Sequence, residues 1–290
     1  MTVDVVVNNL GLSYWNHHAL QNVTFNLSEP KIYGLIGRNG AGKTSLLSIL
    51  SSFREQTEGT LTIGGEEPFE NAKVMPLVNF IYSKDYKDES ENAKNLLNDV
   101  ERYRPNFDRD YAESLLKKFN LPVNKPLKQF SKGMQSAFDV VAGLASRAPI
   151  TIFDEAYQGM DAPTREIFYQ EILEDQSNHP RIMVLSTHLV SEMDYLFDEV
   201  LILHKGKLLL QEEYESLITK GASITGTAEE VDDFARDLKQ LSVQQLGGTK
   251  AVMVYGELDE NKRNEAQQRG LEVGHISLQD LFIHLTGEDV

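Results

Sequence analysis

The sequence predicts an α/β protein followed by a smaller α+β unit, and three observations predict it. A short apolar run, Ile32 to Ile36, leads into Gly37-Arg38-Asn39-Gly40-Ala41-Gly42-Lys43-Thr44, and apolar residues at helical spacing follow from Ser45 to Leu50. A second apolar run, Ile150 to Phe153, ends in two acids, Asp154 and Glu155. Past about residue 215 the segments succeed one another in the order β-α-β-β-α-β. The first two runs imply a parallel sheet with ligand-binding residues at the strand tips.

In chain order, residues 3–7 and 23–27 alternate as strands through Val3, Val5, Val7 and Val23, Phe25, Leu27. Tyr14-Trp15 lies between them. These rings are either hairpin aromatics or a platform for a purine base, which offers a π-face to stack. Residues 37–44 fit G-x-x-x-x-G-K-[ST], in the strand–loop–helix context that a phosphate-binding loop needs. Glycines let successive N–H groups turn toward one anion, and the helix N-terminus adds partial positive charge. Lys43 can reach the outer phosphates and Thr44 can hold Mg²⁺. Residues 59–64 read as another strand, so antiparallel strands sit beside the nucleotide sheet.

From Glu89 to Ala148 the pattern is helical. Ala93, Leu96, Leu97 and Val100 share one face, and so do Ala112, Leu115, Leu116 and Phe119. Pro105, Pro122 and Pro126 separate the segments. This reads as a helical insertion over about 86–146, its third helix running from Ala137 to Ser146 after Phe130-Ser131-Lys132-Gly133-Met134-Gln135. In isolation Asp154-Glu155 is an acidic strand exit. Downstream of a phosphate loop it becomes a metal ligand, Asp154, and a base or water-orienting group, Glu155. Residues 182–186 form a further strand with His188 at its tip, and 199–203 and 207–211 a hairpin around Lys205-Gly206.

In the last segment Ser223–Gly226 reads as a strand, Glu229–Leu241 as a helix, and Val243–Leu246 and Lys250–Tyr255 as strands. Glu260–Gln268 reads as a helix, Leu271–Ile276 as a strand and Leu278–Leu285 as a final helix. This order predicts a ferredoxin-like unit over 216–290 after a nucleotide-binding domain over 1–215. No catalytic cluster appears in it, and His275 and His284 read as packing or surface residues.

Composition bounds the function. The 290 residues fit one or two domains, and no run approaches the ~18 apolar residues of a membrane span. The N-terminus lacks the basic and apolar regions of a signal peptide, which makes the cytoplasm the expectation. With no cysteine, thiolate catalysis and Cys-ligated zinc are excluded. A net charge of −16 repels nucleic acid phosphate as a whole, so no nucleic-acid partner is expected.

With these stretches in hand, the first 215 or so residues resemble the ATP-binding subunit of an ABC transporter. Tyr14 stands six residues before Leu20, the spacing of that family's adenine-stacking aromatic. Residues 37–44 match Walker A, and Ser45 follows in its helix. Phe130 to Met134 stand where the family has Leu-Ser-Gly-Gly-Gln. Ile150 to Asp154 match Walker B, Glu155 the catalytic glutamate, Gly159-Met160-Asp161 the D-loop, and Ser186-Thr187-His188 the switch histidine. A small GTPase would need Asn-Lys-x-Asp, and Asn124-Lys125-Pro126-Leu127 lacks the Asp.

The resemblance implies ATP and Mg²⁺ as ligands and two subunits closing head to tail. Ser131 and Gly133 would then meet a γ-phosphate bound by the partner chain, with Asp161 nearby. Lys43, Glu155 and His188 would serve hydrolysis, and Thr44 and Asp154 the metal. Closure would drive a membrane permease, placing the subunit peripherally on the cytoplasmic face. The sequence departs from the family at its Q-loop. After Val78–Tyr82 comes Ser83-Lys84 with no Gln; Ser83 is the nearer positional match and Lys84 the alternative. Lys132 and Met134 replace a Gly and the Gln of the signature, as in ABC-2-type exporter ATPases. Ala156 replaces the Pro after Glu155. The ending around Ser277 to Phe282 resembles accessory regions of peptide, toxin or antibiotic exporters, with phenol-soluble-modulin-type peptide exporters one candidate group. The second class is a soluble ABC ATPase acting on ribosomes or DNA; ribosome-associated members usually carry two cassettes and DNA-repair members a long coiled-coil insertion, whereas this chain shows one cassette and no such heptads. A nucleotide-binding regulator with little turnover is the third class, on the strength of the missing Gln.

Overall fold

A computed structural model describes residues 3–256 and 258–287. The predicted domain spans also include 1, 2, 257 and 288–290, which lie outside the described residues. The strands are β1 (Val5–Tyr14), β2 (His17–Leu27), β3 (Ile32–Ile36), β4 (Glu58–Ile63), β5 (Val78–Tyr82), β6 (Ile150–Asp154) and β7 (Ile182–Thr187). They continue with β8 (Glu199–His204), β9 (Lys207–Glu213), β10 (Gly221–Thr227), β11 (Gln240–Leu246), β12 (Thr249–Tyr255) and β13 (Glu272–His275). The helices are α1 (Lys43–Leu50), α2 (Ala93–Tyr103), α3 (Arg109–Lys118), α4 (Lys132–Ala145) and α5 (Ala162–Asn178). After them come α6 (Val190–Met193), α7 (Tyr214–Thr219), α8 (Ala228–Phe234), α9 (Glu260–Gln268) and α10 (Leu278–Thr286).

The chain divides into two compact units, Met1–Leu189 with Tyr195–Gln211, and Val190–Asp194 with Glu212–Val290. The first is centred on a six-stranded sheet in the order β5-β6-β7-β3-β8-β9, with β5, β6, β7, β3 and β8 mutually parallel. Every residue of β3 and of β6 is buried. A parallel sheet covered on both faces asks for such unbroken apolar runs. α1 follows β3 and buries Leu46, Leu47, Ile49 and Leu50, each worth ~1.5–3 kcal/mol when removed from water. A three-stranded antiparallel sheet, β2-β1-β4, forms beside it. Its first two strands are longer than the alternation alone marks, because ladder pairing carries β1 on to Tyr14 and starts β2 at His17.

α2, α3 and α4 make the helical segment. α4 starts at Lys132, five residues before the expected Ala137. The Ser131 hydroxyl caps it by accepting from the Met134 N–H at 3.2 Å. Arg147 and Arg181 both meet the carboxylate of buried Asp175, pairing the charges that burial would otherwise penalise.

The second unit holds a four-stranded antiparallel sheet in the order β11-β12-β10-β13. Its core gathers Ala222, Ile224, Val231, Val252, Val254, Ala266 and Leu271. The helix expected over Glu229–Leu241 ends at Phe234. The chain then turns through 235–238, and Gln240 pairs with Val254 in the ladder, so the end of that stretch belongs to β11.

Candidate functional site

The tips of β5 and β6, the loop after β3 and the start of α1 surround a cleft of about 690 Å³. The loop 38–42 bends through Gly42, whose φ of 105° suits only glycine; a Cβ there would sit 2.8 Å from the Ala19 carbonyl oxygen. Arg38, Asn39, Gly40, Ala41, Gly42, Lys43, Thr44 and Ser45 all line the cleft, and Gly37 lies buried at its root. The first N–H groups of α1 have no intrahelical acceptor and carry the positive end of the helix dipole.

Lys43 is 6 % exposed. Its ammonium donates to the Gly37 carbonyl at 2.7 Å and lies 3.4 Å from Glu155 Oε1. The Thr44 hydroxyl donates to Asp154 Oδ2 at 2.8 Å, and Ser186 donates to Oδ1 of the same carboxylate. Thr44 and Asp154 thus bring hard oxygen donors together, the set a Mg²⁺ ion takes. Among the described residues no three His, Asp or Glu side chains cluster as a metal site.

Glu155 stands at φ 49° just past β6, and its N–H donates to Ser186 Oγ at 3.1 Å. That left-handed turn swings its carboxylate back over the cleft. His188 Nδ1 lies 3.0 Å from Oε1, and the Gln158 carboxamide donates to Oε2. Burial by itself pushes the Glu155 carboxyl up. The hydrogen bond from His188 and the charge of Lys43 outweigh it and hold the group below its ordinary range. Tyr157, buried under this turn, places its hydroxyl 3.3 Å from His188 Nδ1 and 3.1 Å from Thr187 Oγ1.

Tyr14 lines the cleft half-buried, with the Arg54 guanidinium 4.7 Å from its ring centre. Trp15 stands wholly in solvent at the tip of the β1–β2 hairpin, with φ 52°. Ser83 lines the cleft. Lys84 turns away to Asp139 at 3.7 Å, and its carbonyl accepts from Lys132 Nζ at 3.0 Å.

Ser131, Gly133 and Asp161 do not line this cleft. They line a separate one of about 170 Å³, where the start of α4 meets the 159–161 turn. Asp161 caps α5 through the Thr164 N–H at 3.0 Å, and the side-chain and backbone bonds to Thr164 depress its carboxyl.

Sequence reading missed His17, Phe53, Phe80, Tyr82 and Gln158 in the larger cleft. Phe53, Phe80 and Tyr82 pack ring to ring, at centroid distances of 5.0–5.6 Å. Only tertiary contact brings Phe53 to the β5 pair. Gln158, three residues after Glu155 in a turn, was within reach of local reasoning.

The fold and the cleft define a P-loop nucleotide-binding protein. Residues 20–158 match the family model described as ABC transporter. The ABC transporter ATP-binding protein YtrB of Bacillus subtilis is 26 % identical over 68 % of this chain and 70 % of that protein. The lantibiotic transport ATP-binding protein SrtF of Streptococcus pyogenes is 29 % identical over 72 % of this chain and 90 % of its own. Among solved structures, an ATP-binding subunit of an ABC transporter superposes with a TM-score of 0.65 at 22 % identity, over 80 % of this chain and 92 % of that one. A dimeric post-hydrolysis cassette, MJ0796 bound to ADP and Pi, gives 0.62 at 21 % identity, over 72 % and 98 %. Residues 20–158 therefore fall in an ABC-type ATP-binding, ATP-hydrolysing domain, homologous to those of transporter ATPases.

Proposed function

We propose that this chain is the energising ATPase subunit of a membrane exporter, acting as one of a head-to-tail pair. The observation that carries the reading is the separation of its functional residues. Lys43, Thr44, Asp154 and Glu155 line one cleft, with His188 joined to it through Glu155 Oε1, while Ser131, Gly133 and Asp161 line another. A second ATPase chain, identical or related, would bring its Ser131–Gly133 corner over the open side of this chain's nucleotide cleft. The dimeric MJ0796 cassette supports that arrangement by its fold.

In this mechanism Tyr14 stacks the adenine, and the loop 37–44, with Ser45, binds the phosphates through backbone N–H groups and Lys43. Thr44 and Asp154 would hold Mg²⁺, which would supply charge neutralisation to the bound phosphates. Glu155 aligns a water and accepts its proton as the water oxygen bonds to the γ-phosphorus. The bond to the ADP oxygen breaks, giving ADP and inorganic phosphate. His188 fixes the Glu155 carboxylate and reaches toward the γ-phosphate. Ser83 stands where the family has its Gln, with a hydroxyl in place of an amide.

The likeness to SrtF supports a peptide or other amphipathic cargo, and phenol-soluble-modulin-type peptide exporters are the specific candidate. Among the described residues no helix is long and apolar enough to cross a membrane. The subunit would therefore sit peripherally, on the cytoplasmic face, against a separate permease. We read residues 216–290 as a ferredoxin-like accessory domain after a 1–215 ATPase domain; the β11-β12-β10-β13 order supports it. Co-purification with a candidate permease co-expressed with it, with peptide-stimulated ATP turnover, tests the whole reading. Sedimentation with ribosomes instead of the permease would overturn it.

A further inference from the structure

The turn after β6 is tied at both ends. Gln158 donates from Nε2 to Glu155 Oε2, while His188 and Lys43 meet Oε1 at 3.0 and 3.4 Å. The two carboxylate oxygens are therefore held by different groups, which stops the carboxylate turning about its last bond. The Gln158 carbonyl in turn accepts from Ser136 Oγ at 2.7 Å. Ser136 is buried on α4, just over one turn past the Ser131 cap. At the same end of α4, Gly133 lies so close to the turn that a Cβ would stand 2.3 Å from the Gly159 carbonyl oxygen. Backbone meets backbone there, so the start of α4 and the 158–159 peptide move together.

We propose that Gln158 is a positioning residue for Glu155, which its carboxamide couples to the helix that begins at Ser131. It links the chain's two clefts. A shift of α4, such as contact at Ser131 and Gly133 would cause, passes through Ser136 and the Gln158 backbone to the carboxylate. The inference rests on the role given to Glu155 above.

The test uses the full chain. ATP turnover is measured alongside affinity for a fluorescent ATP analogue. Gln158→Met keeps the side-chain length and removes the donor; it should lower kcat about tenfold, a modest misalignment loss, with KM and affinity within about twofold. Ser136→Ala should lower kcat about threefold, and the double variant should be no slower than Gln158→Met alone, the non-additivity of one shared path. Gln158→Glu, which sets a second carboxylate against Oε2, should give the same loss and guards against a folding defect in the Met variant. Wild-type kcat in both Gln158 variants overturns the inference, and multiplied losses in the double variant overturn the link to α4. Glu155→Gln separates the two levels. If it abolishes turnover while the Gln158 variants stay fast, only this inference fails. If it turns over like the wild type, the role of Glu155 itself is wrong.

Discussion

In the nucleotide cleft the functional side chains meet one another, whereas in the Ser131–Asp161 cleft they meet their own helices. Lys43 faces Glu155, Thr44 faces Asp154 and His188 faces Glu155, each pair joining groups more than thirty positions apart in sequence. Ser131 and Asp161 each accept a backbone N–H three residues on. The first cleft is held by tertiary packing around a sheet and is organised for chemistry within one chain. The second is a pair of helix starts whose polar groups already have partners, so it presents a surface more than a reaction site. On the proposed reading, one chain binds the nucleotide and a second completes its hydrolysis.

The largest expected effect breaks the first cleft. Glu155→Gln should cut kcat by about 10²–10⁴-fold, the worth of a positioned general base, while affinity for the ATP analogue stays within a few-fold. Retained turnover would remove Glu155 from the chemistry. Next, Tyr14→Ala should weaken nucleotide binding by about 1–3 kcal/mol, with Trp15→Ala near neutral in an affinity titration. The reverse result would show that Arg54 occupies the Tyr14 ring and that the exposed indole binds the base.

The second cleft predicts smaller effects of a different kind. Ser131→Ala should cost about 1 kcal/mol of stability through the lost cap, lowering Tm by a few degrees, and leave nucleotide affinity of the isolated chain unchanged. A large fall in that affinity would merge the two clefts into one. The smallest shift is expected from Asp161→Asn, since Asn caps a helix as well as Asp does; calorimetry should show Tm almost unmoved. If that variant still loses nucleotide-dependent dimerisation, followed by light scattering, the Asp161 charge serves the partner chain and not the fold.

The same contrast explains how much was legible beforehand. Residues 37–44 could be placed because a strand, glycines and a helix start are consecutive and signal locally. Asp154-Glu155 and His188 could be placed because parallel strands end on one edge of the sheet. α4 was expected five residues late, because its first turn carries Lys132 and Gly133 in place of an apolar face and is set by the Ser131 cap. The expected helix over Glu229–Leu241 ran long because β12 recruits Gln240 and its successors. Phe53 beside Phe80 and Tyr82 gave no local sign at all.

The sequence by itself determined the phosphate loop, the carboxylate pair, the order of strands and the absence of thiol chemistry. Each of these follows from residue type and spacing along the chain. Only the tertiary structure decided that Ser83 and not Lys84 faces the nucleotide cleft, that Tyr14 and not Trp15 lines it, and that Gln158 holds Glu155. Those choices turn on the direction of a side chain after a strand end or a turn. A buried partner fixes that direction, as Asp139 does for Lys84 and Ser136 for the Gln158 peptide, and such partners lie tens of positions away.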